Sequence, residues 1–405
     1  MTAKIIVQKY GGTSVASPER IKAVAARIKS YVDQGFKLAV VVSAMGKSTD
    51  KLVDLAGEIT DQPSNREMDM LLSTGEQVTI SLLTMALHHL GIKAVSFTGF
   101  QIKVLTDGHY SRGKIKSISR KKLEEALVEN QVVVVAGFQG IDQNDEIITL
   151  GRGGSDTSAV ALAVALEVRD CEIYTDVDGV YTADPNIISR PKKLKEISYA
   201  EMLELARLGA GVLHSRSVEL AKKNRIKLHI RSSFNFEEGT IVMPKEEMME
   251  SFMVSGVTSK EDEAKVTLRE IPDRPGVAAA LFFLLGEHKI YVNMIIQSTG
   301  KEDKASISFT VLKKDLKKTI QLCGELKGKF GDFFLDYKED IAIISAIGVG
   351  MLSSYGVAGQ MFQVLSAKGI NIEMIATSEV GISCVIDSKD LKEALQLVHQ
   401  EFLEV

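Results

Sequence analysis

Short apolar runs alternate with amphipathic stretches from residue 1 to about residue 245. The runs at 5–7, 38–43, 94–98, 132–137, 147–150 and 172–176 are rich in Val and Ile and bounded by Gly, Asp or Ser, a pattern that predicts buried strands. Between them, helical spacing predicts helices at 18–32, 50–59, 76–90, 121–129, 157–166, 199–207 and 215–223. The first of these has Ser17 at its N-cap and Pro18 at its first position, a strong start signal. Strand–helix alternation of this kind predicts an α/β fold, a mostly parallel sheet with helices on both faces. Ligands of such sheets gather at the carboxyl ends of the strands. Residues 240–252, with Pro244 and an acidic, Met-rich run, break the pattern and read as a linker.

The remainder carries an internal repeat. Gly276-Val-Ala-Ala-Ala-Leu-Phe and Gly356-Val-Ala-Gly-Gln-Met-Phe align at an offset of 80 residues, and nine of the 23 positions from 276 to 298 are identical to their partners. So ungapped a match indicates two copies of one unit. Each copy reads as a strand, a loop ending in Gly-Val, a helix, a strand (291–297 or 371–377), a further strand (305–311 or 382–386) and a helix (315–326 or 391–402). The expected organisation is a first domain at 1–245, a linker with its leading strand at 246–263, and two α+β domains at 264–338 and 339–405.

Composition narrows the class. The 405 residues suit two or three domains, and 45% hydrophobic with 25% charged residues is ordinary for a globular chain. A formal net charge of −4 without a long basic block argues against nucleic acid or an anionic membrane as the main partner. Cys171, Cys323 and Cys384 lie far apart and are expected to be buried, reduced thiols. The N-terminus has no basic-then-apolar leader, and no apolar stretch is expected to approach the ~20 residues of a membrane span, so the expected location is the cytosol.

Three strand–helix junctions carry the candidate chemistry. In Lys9-Tyr10-Gly11-Gly12-Thr13-Ser14 the glycines let backbone N–H groups approach phosphate oxygens, and Lys9 can place a charge on a transferring phosphoryl group. The plainer alternative is a tight turn with a solvated lysine. The pattern is neither a Walker loop nor a Rossmann fingerprint. In Thr149-Leu-Gly-Arg152-Gly153-Gly154-Ser155-Asp156, Arg152 offers a planar fork suited to a carboxylate, and Asp156 opens a helix, where it can also serve as a cap. The third junction, Tyr174-Thr175-Asp176-Val-Asp178-Gly-Val180-Tyr181-Thr182-Ala183-Asp184-Pro185, can hold an adenine and ribose or be a pair of turns. Ser43, at a strand end, faces the same rim. Glu76 opens a helix, where it either faces the helix dipole or binds an ammonium group. The histidines show no metal-ligand spacing, and no protein metal site is assigned.

Together these segments resemble the aspartate kinase family of the amino-acid-kinase superfold, over the whole chain. Lys9-Tyr-Gly-Gly-Thr-Ser, Val42-Ser-Ala-Met-Gly, Met68-Asp-Met-Leu-Leu with Gly75-Glu76, Ala136-Gly-Phe-Gln-Gly, Leu150-Gly-Arg-Gly-Gly-Ser-Asp-Thr and Tyr174-Thr-Asp-Val-Asp-Gly-Val-Tyr-Thr-Ala-Asp-Pro occur in the family's order. The repeat resembles the family's paired ACT domains, ferredoxin-like βαββαβ units that bind amino-acid end products.

The resemblance implies ATP-dependent phosphorylation of the aspartate side-chain carboxylate, with Mg²⁺ held mainly by the nucleotide phosphates and water. It assigns catalysis to Lys9 and Asp156. ATP would be held by Lys9, Tyr10, Gly11, Gly12, Ser43, Thr175, Asp176, Val180, Tyr181, Thr182, Ala183, Asp184, Pro185 and Arg190. Aspartate would be held by Thr49, Glu76, Arg152, Gly153, Gly154 and Ser155, with Glu76 on the amine and Arg152 on a carboxylate. Effector lysine, threonine or both would bind Asp273, Gly276, Val277, Ala278, Asn293 and Gln297 in the first copy, and Gly356, Val357, Asn371, Ile372, Ser378 and Glu379 in the second. A homo-oligomer through the ACT domains is implied, as is a small subunit started internally at Met248, Met249 or Met253. Two positions depart from the family. Gly211 stands where Gly-Ala-Lys-Val-Leu-His-Pro has its lysine, and the first copy reads Tyr291-Val-Asn293 where Asn-hydrophobic-Asp is common. The alternatives are a sister carboxylate kinase of the superfold, which usually lacks the ACT pair, and a non-catalytic amino-acid sensor, which has no need of Lys9, Arg152 and Asp156 together.

Overall fold

The fold is that of a computed structural model, which describes residues 4–209, 211–248, 253–300, 303–351 and 355–404. Two compact units emerge: Met1–Tyr181, Lys193–Arg207 and Gly211–Glu250 form one, and Thr182–Lys192, Leu208–Ala210 and Ser251–Val405 the other. Ala210 and Met249 lie outside the described residues.

The first unit runs β1 (Ile5–Tyr10), α1 (Pro18–Asp33), β2 (Lys37–Val42), α2 (Ser48–Ile59), α3 (Asn65–Leu72), α4 (Thr74–His89), β3 (Ala94–Phe97), β4 (Leu105–Thr106), β5 (Ile115–Ser117), α5 (Arg120–Glu129), β6 (Val132–Ala136), β7 (Gln139–Ile141), β8 (Ile147–Thr149), α6 (Gly154–Ala165) and β9 (Asp170–Thr175). It closes with β10 (Glu196–Ser198), α7 (Tyr199–Arg207), α8 (Ser215–Asn224), β11 (Lys227–Ser232) and β12 (Thr240–Met243). Eight strands make the main sheet in the order β10-β12-β11-β9-β1-β2-β6-β3. All its pairings are parallel except β11 with β12. The central strands read as continuous apolar runs, such as Val132-Val-Val-Val-Ala136, because both faces are covered. Ser17 caps α1, its Oγ accepting from the Arg20 N–H at 3.4 Å.

The sequence expectation fails at three places in this unit. The run at 147–150 does not join the parallel sheet; β8 belongs to a separate four-stranded sheet, β5-β4-β7-β8, paired antiparallel to β7. Two buried apolar residues, Ile148 and Leu150, do not say which sheet buries them. Residues 240–243, expected in a linker, form β12, whose Val242 is fully buried. And α3 with α4 spans Asn65–His89, 25 residues with a mean hydropathy of 1.2 in its most apolar window, long and apolar enough by those measures to cross a bilayer. Its apolar side chains Ile80, Leu83 and Leu87 sit in the core with Ile21, Val24 and Ile28 of α1, and its buried carboxylates Asp69 and Glu76 both accept hydrogen bonds.

The second unit runs β13 (Gly256–Pro272), α9 (Val277–Glu287), β14 (Val292–Thr299), β15 (Lys304–Leu312), α10 (Leu316–Glu325), α11 (Lys327–Phe330), β16 (Phe334–Ile347), α12 (Val357–Ala367), β17 (Met374–Ser378), β18 (Gly381–Asp387) and α13 (Leu391–Leu403). One antiparallel sheet, β14-β15-β13-β16-β18-β17, carries both repeat copies. The long strands β13 and β16 pair along nearly their whole length and serve both copies. The second half of β13 builds the first copy's core, Ala264, Val266 and Leu268 packing with Leu281 and Leu285 of α9. Its beginning, Val257, packs instead with Ile344, Met361 and Val398 of the second copy. The stretch 246–263 expected to be a linker with its leading strand therefore supplies a core strand to the second copy. Ala183 and Ile188, from the expected nucleotide loop, lie in that same core. Cys171, Cys323 and Cys384 are buried free thiols.

Candidate active site

The strand order sets the location. β1 lies between β2 and β9, so the chain leaves its carboxyl end with neighbours from both directions of sheet growth, the position where ligands of such sheets bind. α6 packs against β1, β2 and β9 and is buried on every side over Gly154–Ala163, with its N-terminus at that end.

Adjacent residues of a strand point to opposite faces. Lys9 turns towards α6, where its Nζ meets Asp156 Oδ1 at 2.6 Å; both side chains are about one-tenth exposed (11% and 12%). Tyr10 turns to the other face and stacks on Tyr174 of β9, ring centroids 4.7 Å apart and planes within 5°. Beneath the stack, the Glu172 carboxylate accepts from Gln8 Nε2 (2.7 Å), Tyr31 OH (2.9 Å), Tyr174 OH (3.1 Å) and Arg231 (3.3 Å). Burial, with the Glu172 charge nearby, pushes the Tyr174 hydroxyl far above its usual range, so it stays a donor. The Gly11 N–H is tied to the Tyr174 carbonyl at 3.1 Å. Gly12 lies so close to the turn after β2 that a Cβ would sit 3.0 Å from the Ala44 carbonyl. In that turn the Ser43 N–H donates to the Tyr10 carbonyl (3.1 Å), and Thr49 follows half-buried in the first turn of α2.

Glu76, in the first turn of α4, is 2% exposed. Its Oε1 accepts from the Ala44 N–H at 3.1 Å, and its buried Oε2 has no hydrogen-bond partner among the described residues. Burial pushes its carboxyl up to about 8, offset only partly by backbone N–H groups. Arg152 is exposed, and no hydrogen bond or ion pair holds its head among the described residues. The turn carrying it has left-handed glycines on both sides, Gly151 (φ 74°) and Gly153 (φ 68°), and a Cβ at Gly153 would collide with His214. Gly154, Ser155 and Asp156 then open α6, buried.

The expected nucleotide segment divides. Thr175 donates to Asp176 (3.0 Å), with Asp176 exposed. The Tyr181 hydroxyl donates to Asp178 (2.9 Å), which also pairs with Lys193 at 3.1 Å; together they hold the Asp178 carboxyl below its usual range against a larger opposing effect of burial. The side chains of Val180, Thr182 and Ala183 are buried, and Thr182 Oγ1 is committed to the Lys192 N–H and to His399 Nε2, both at 3.0 Å, so these residues can meet a ligand only through their backbones. Asp184 caps the turn that follows, accepting from the Asn186 N–H at 2.8 Å, with Pro185 and Arg190 exposed.

In the second unit, Asp273, Gly276, Val277, Ala278 and Gln297 line one cavity of ≈ 330 Å³. Asn293 does not line it; its Nδ2 is buried without a hydrogen-bond partner among the described residues. Of the second copy's set, Gly356 (φ 94°) and Val357 start α12, Asn371 and Ile372 precede β17, and Ser378 and Glu379 stand at the β17–β18 turn.

Sequence reading assigned no part to Asp69, Phe138, Glu172, Lys193 or Arg216. Phe138 lies in an expected motif, and its φ of 66°, rare for a bulky side chain, marks a shaped backbone beside the site, where its carbonyl takes the Leu150 N–H at 2.8 Å.

The amino acid kinase family matches residues 4–232, and the ACT domain matches 269–325 and 344–402. The chain is 47% identical over 398 residues to an aspartokinase of Geobacillus stearothermophilus, covering 98% of this chain and 97% of that one. Among solved structures it resembles E. coli aspartokinase III in complex with aspartate and ADP (TM-score 0.80, 26% identity, 98% of this chain and 99% of that one). It also resembles the same enzyme in complex with lysine and aspartate (TM-score 0.79, 26% identity, with the same coverage). A match of that identity over nearly the full length of both chains, on a fold whose strand ends gather Lys9, Glu76, Arg152 and Asp156, leads to one conclusion: the chain belongs to the aspartokinase family.

Proposed function

We propose that the protein transfers the γ-phosphoryl group of ATP to the side-chain carboxylate of L-aspartate, forming 4-phospho-L-aspartate. Both substrates are anionic, and the attacking carboxylate is already ionised, so no general base is needed. Catalysis then consists of positioning and electrostatic stabilisation. Lys9 meets the transferring phosphoryl group, with the Gly11 and Gly12 turn on the phosphates, and Asp156 orients Lys9. Arg152 takes a carboxylate of aspartate, and Thr49, Gly153, Gly154 and Ser155 line its place. Ser43, Thr175, Asp176, the 180–185 segment and Arg190 hold the nucleotide.

The observation that carries the acceptor is the unpartnered, buried Oε2 of Glu76. A buried carboxylate with a free oxygen accommodates a cation, and the α-ammonium of aspartate supplies one. An acylated amine or a nucleotide acceptor does not.

Mg²⁺ would be held by the nucleotide phosphates and water, where it would neutralise phosphate charge. The donor set suits an ion held by phosphates and water: Asp156 is already engaged by Lys9, and no group of three or more His, Cys, Asp and Glu stands together among the described residues.

Lysine is the proposed feedback effector, with threonine acting alone or alongside it, and the ≈ 330 Å³ cavity beside Asp273 and Gln297 is the proposed site. The reaction then opens the route to lysine through diaminopimelate, and to threonine and methionine, in the cytoplasm. The edge strands β14 and β17, with Ile295 and Ile375 exposed, suit pairing with a second copy. An internally started small subunit is read out by mass spectrometry of protein from the untagged gene.

An aspartyl-hydroxamate assay with Mg-ATP tests the reading. Signal is expected with aspartate and not with glutamate or acetylglutamate, and it falls when lysine is added. No signal with aspartate overturns the assignment.

A further inference from the structure

Among the described residues Arg152 has no side-chain partner, so its aim depends on the backbone from which it projects. That backbone is held from two sides by residues that line no part of the proposed substrate site. From α3, the fully buried Asp69 carboxylate accepts from the Thr149 N–H (2.9 Å) and the Thr149 hydroxyl (2.6 Å). It also accepts from the Ser111 N–H (2.9 Å to Oδ2, 3.1 Å to Oδ1) and the Ser111 hydroxyl (3.3 Å). From α8, the half-buried Arg216 guanidinium donates to the Leu150 carbonyl (2.7 Å) and the Gly113 carbonyl (2.5 Å). The two clamps share a target: the Gly113 N–H itself donates to the Thr149 carbonyl (2.9 Å), and Gly151 is so close to Ser111 that a Cβ would lie 2.9 Å from its carbonyl. The residues before Arg152 and the 107–114 loop are thus stitched together by one carboxylate and one guanidinium.

We propose that Asp69 and Arg216 are positioning residues for acceptor recognition, setting the approach of Arg152 to the aspartate carboxylate; this rests on the reading of the site given above. A carboxylate is suited to one side of the clamp because all four groups facing it are donors, and an amide would turn its NH₂ against some of them. A guanidinium is suited to the other because its fork spans two carbonyls, which a lysine ammonium cannot do with the same geometry. Neither residue lies in the expected nucleotide segment, so the effect falls on one substrate.

The test is steady-state kinetics of the full chain and of Asp69→Asn and Arg216→Lys, varying aspartate and Mg-ATP separately, with thermal unfolding alongside. The expected result is a rise in KM for aspartate of about tenfold or more, the scale of a misplaced binding group, with KM for ATP within about twofold of the parent. A rise of both KM values together, a fall in kcat alone, or no change overturns the clamp while leaving the function standing. If Asp69→Asn does not fold, Arg216→Lys decides by the same criteria. A parent chain that makes no hydroxamate from aspartate overturns the function and the clamp with it.

Discussion

Lys9 and Asp156 meet at 2.6 Å across the junction of β1 and α6, each with about nine-tenths of its side chain out of solvent. The ammonium is thus held in place by a carboxylate at a helix N-terminus. On the proposed function, a nucleotide phosphate entering the glycine turn would share that ammonium, and the pair would keep Lys9 oriented for it.

Lys9→Ala is expected to lower kcat by roughly 10²–10³, the scale for losing one preorganised donor to transition-state charge. The measurement is kcat with both substrates saturating. A loss of tenfold or less would remove Lys9 from the phosphoryl group. Because truncation also strands Asp156, Lys9→Ala should be less stable than Lys9→Ala/Asp156→Ala in a thermal melt.

Glu76 supplies a pH signature. Its carboxyl titrates near 4.5 when unfolded and near about 8 when folded. Between those values the folded protein holds a proton that the unfolded chain has lost, so Glu76 costs the fold progressively more as pH rises through that window, and the cost levels off above about 8. Glu76→Gln should therefore stabilise the ligand-free protein more at pH 8 than at pH 5. An ammonium partner favours the ionised form, so aspartate binding should release a proton, and KM for aspartate should fall as pH rises towards 8. Calorimetric titration in two buffers of different ionisation heat reads the proton directly; no release would separate Glu76 from the amine.

Arg152→Ala should raise KM for aspartate far more than KM for ATP while leaving the melting temperature unchanged, because no internal partner is lost. Equal effects on both substrates would move Arg152 out of the acceptor site.

The effector cavity is testable apart from chemistry. Asp273→Ala or Gln297→Ala should raise the lysine concentration for half-inhibition about fivefold or more, within the usual range of coupling energies, with kcat unchanged. Titrating lysine and threonine singly and together at subsaturating aspartate is the assay. Unaltered inhibition would place the effector elsewhere.

Much of the frame could be read from the order of residues. β2 and β6 announce themselves because strands buried on both faces read as near-continuous apolar runs, and the capped start of α1 is a local signal. What stayed hidden was decided over long distances. Asp69 sits in a short amphipathic helix where an acid reads as solvent-facing; only its encounter with Thr149, 80 residues on, makes it a buried clamp. Glu172 is hidden in the same way, its partners Gln8, Tyr31 and Arg231 coming from three other elements. The small sheet escaped because β4 is two residues long and β5 is largely exposed. The length of β13 escaped because Lys260, Glu261, Asp262 and Glu263 interrupt its apolar pattern, so half of it looked like linker.

The segment Thr182–Lys192 bears on how such proteins can be taken apart and recombined. It comes from the middle of the chain, yet Ala183 and Ile188 fill the core formed by α12 and α13, and the Val257 N–H donates to the Thr182 carbonyl at 2.7 Å. A graft that exchanged only the residues after 250 for those of a relative would import a core missing Ala183, Ile188 and the partly buried Ile187, together with one strand contact. The native segment left behind would have to fit an unfamiliar surface. The unit of inheritance for the regulatory half is therefore discontinuous, and a working hybrid has to carry 182–192 along with it.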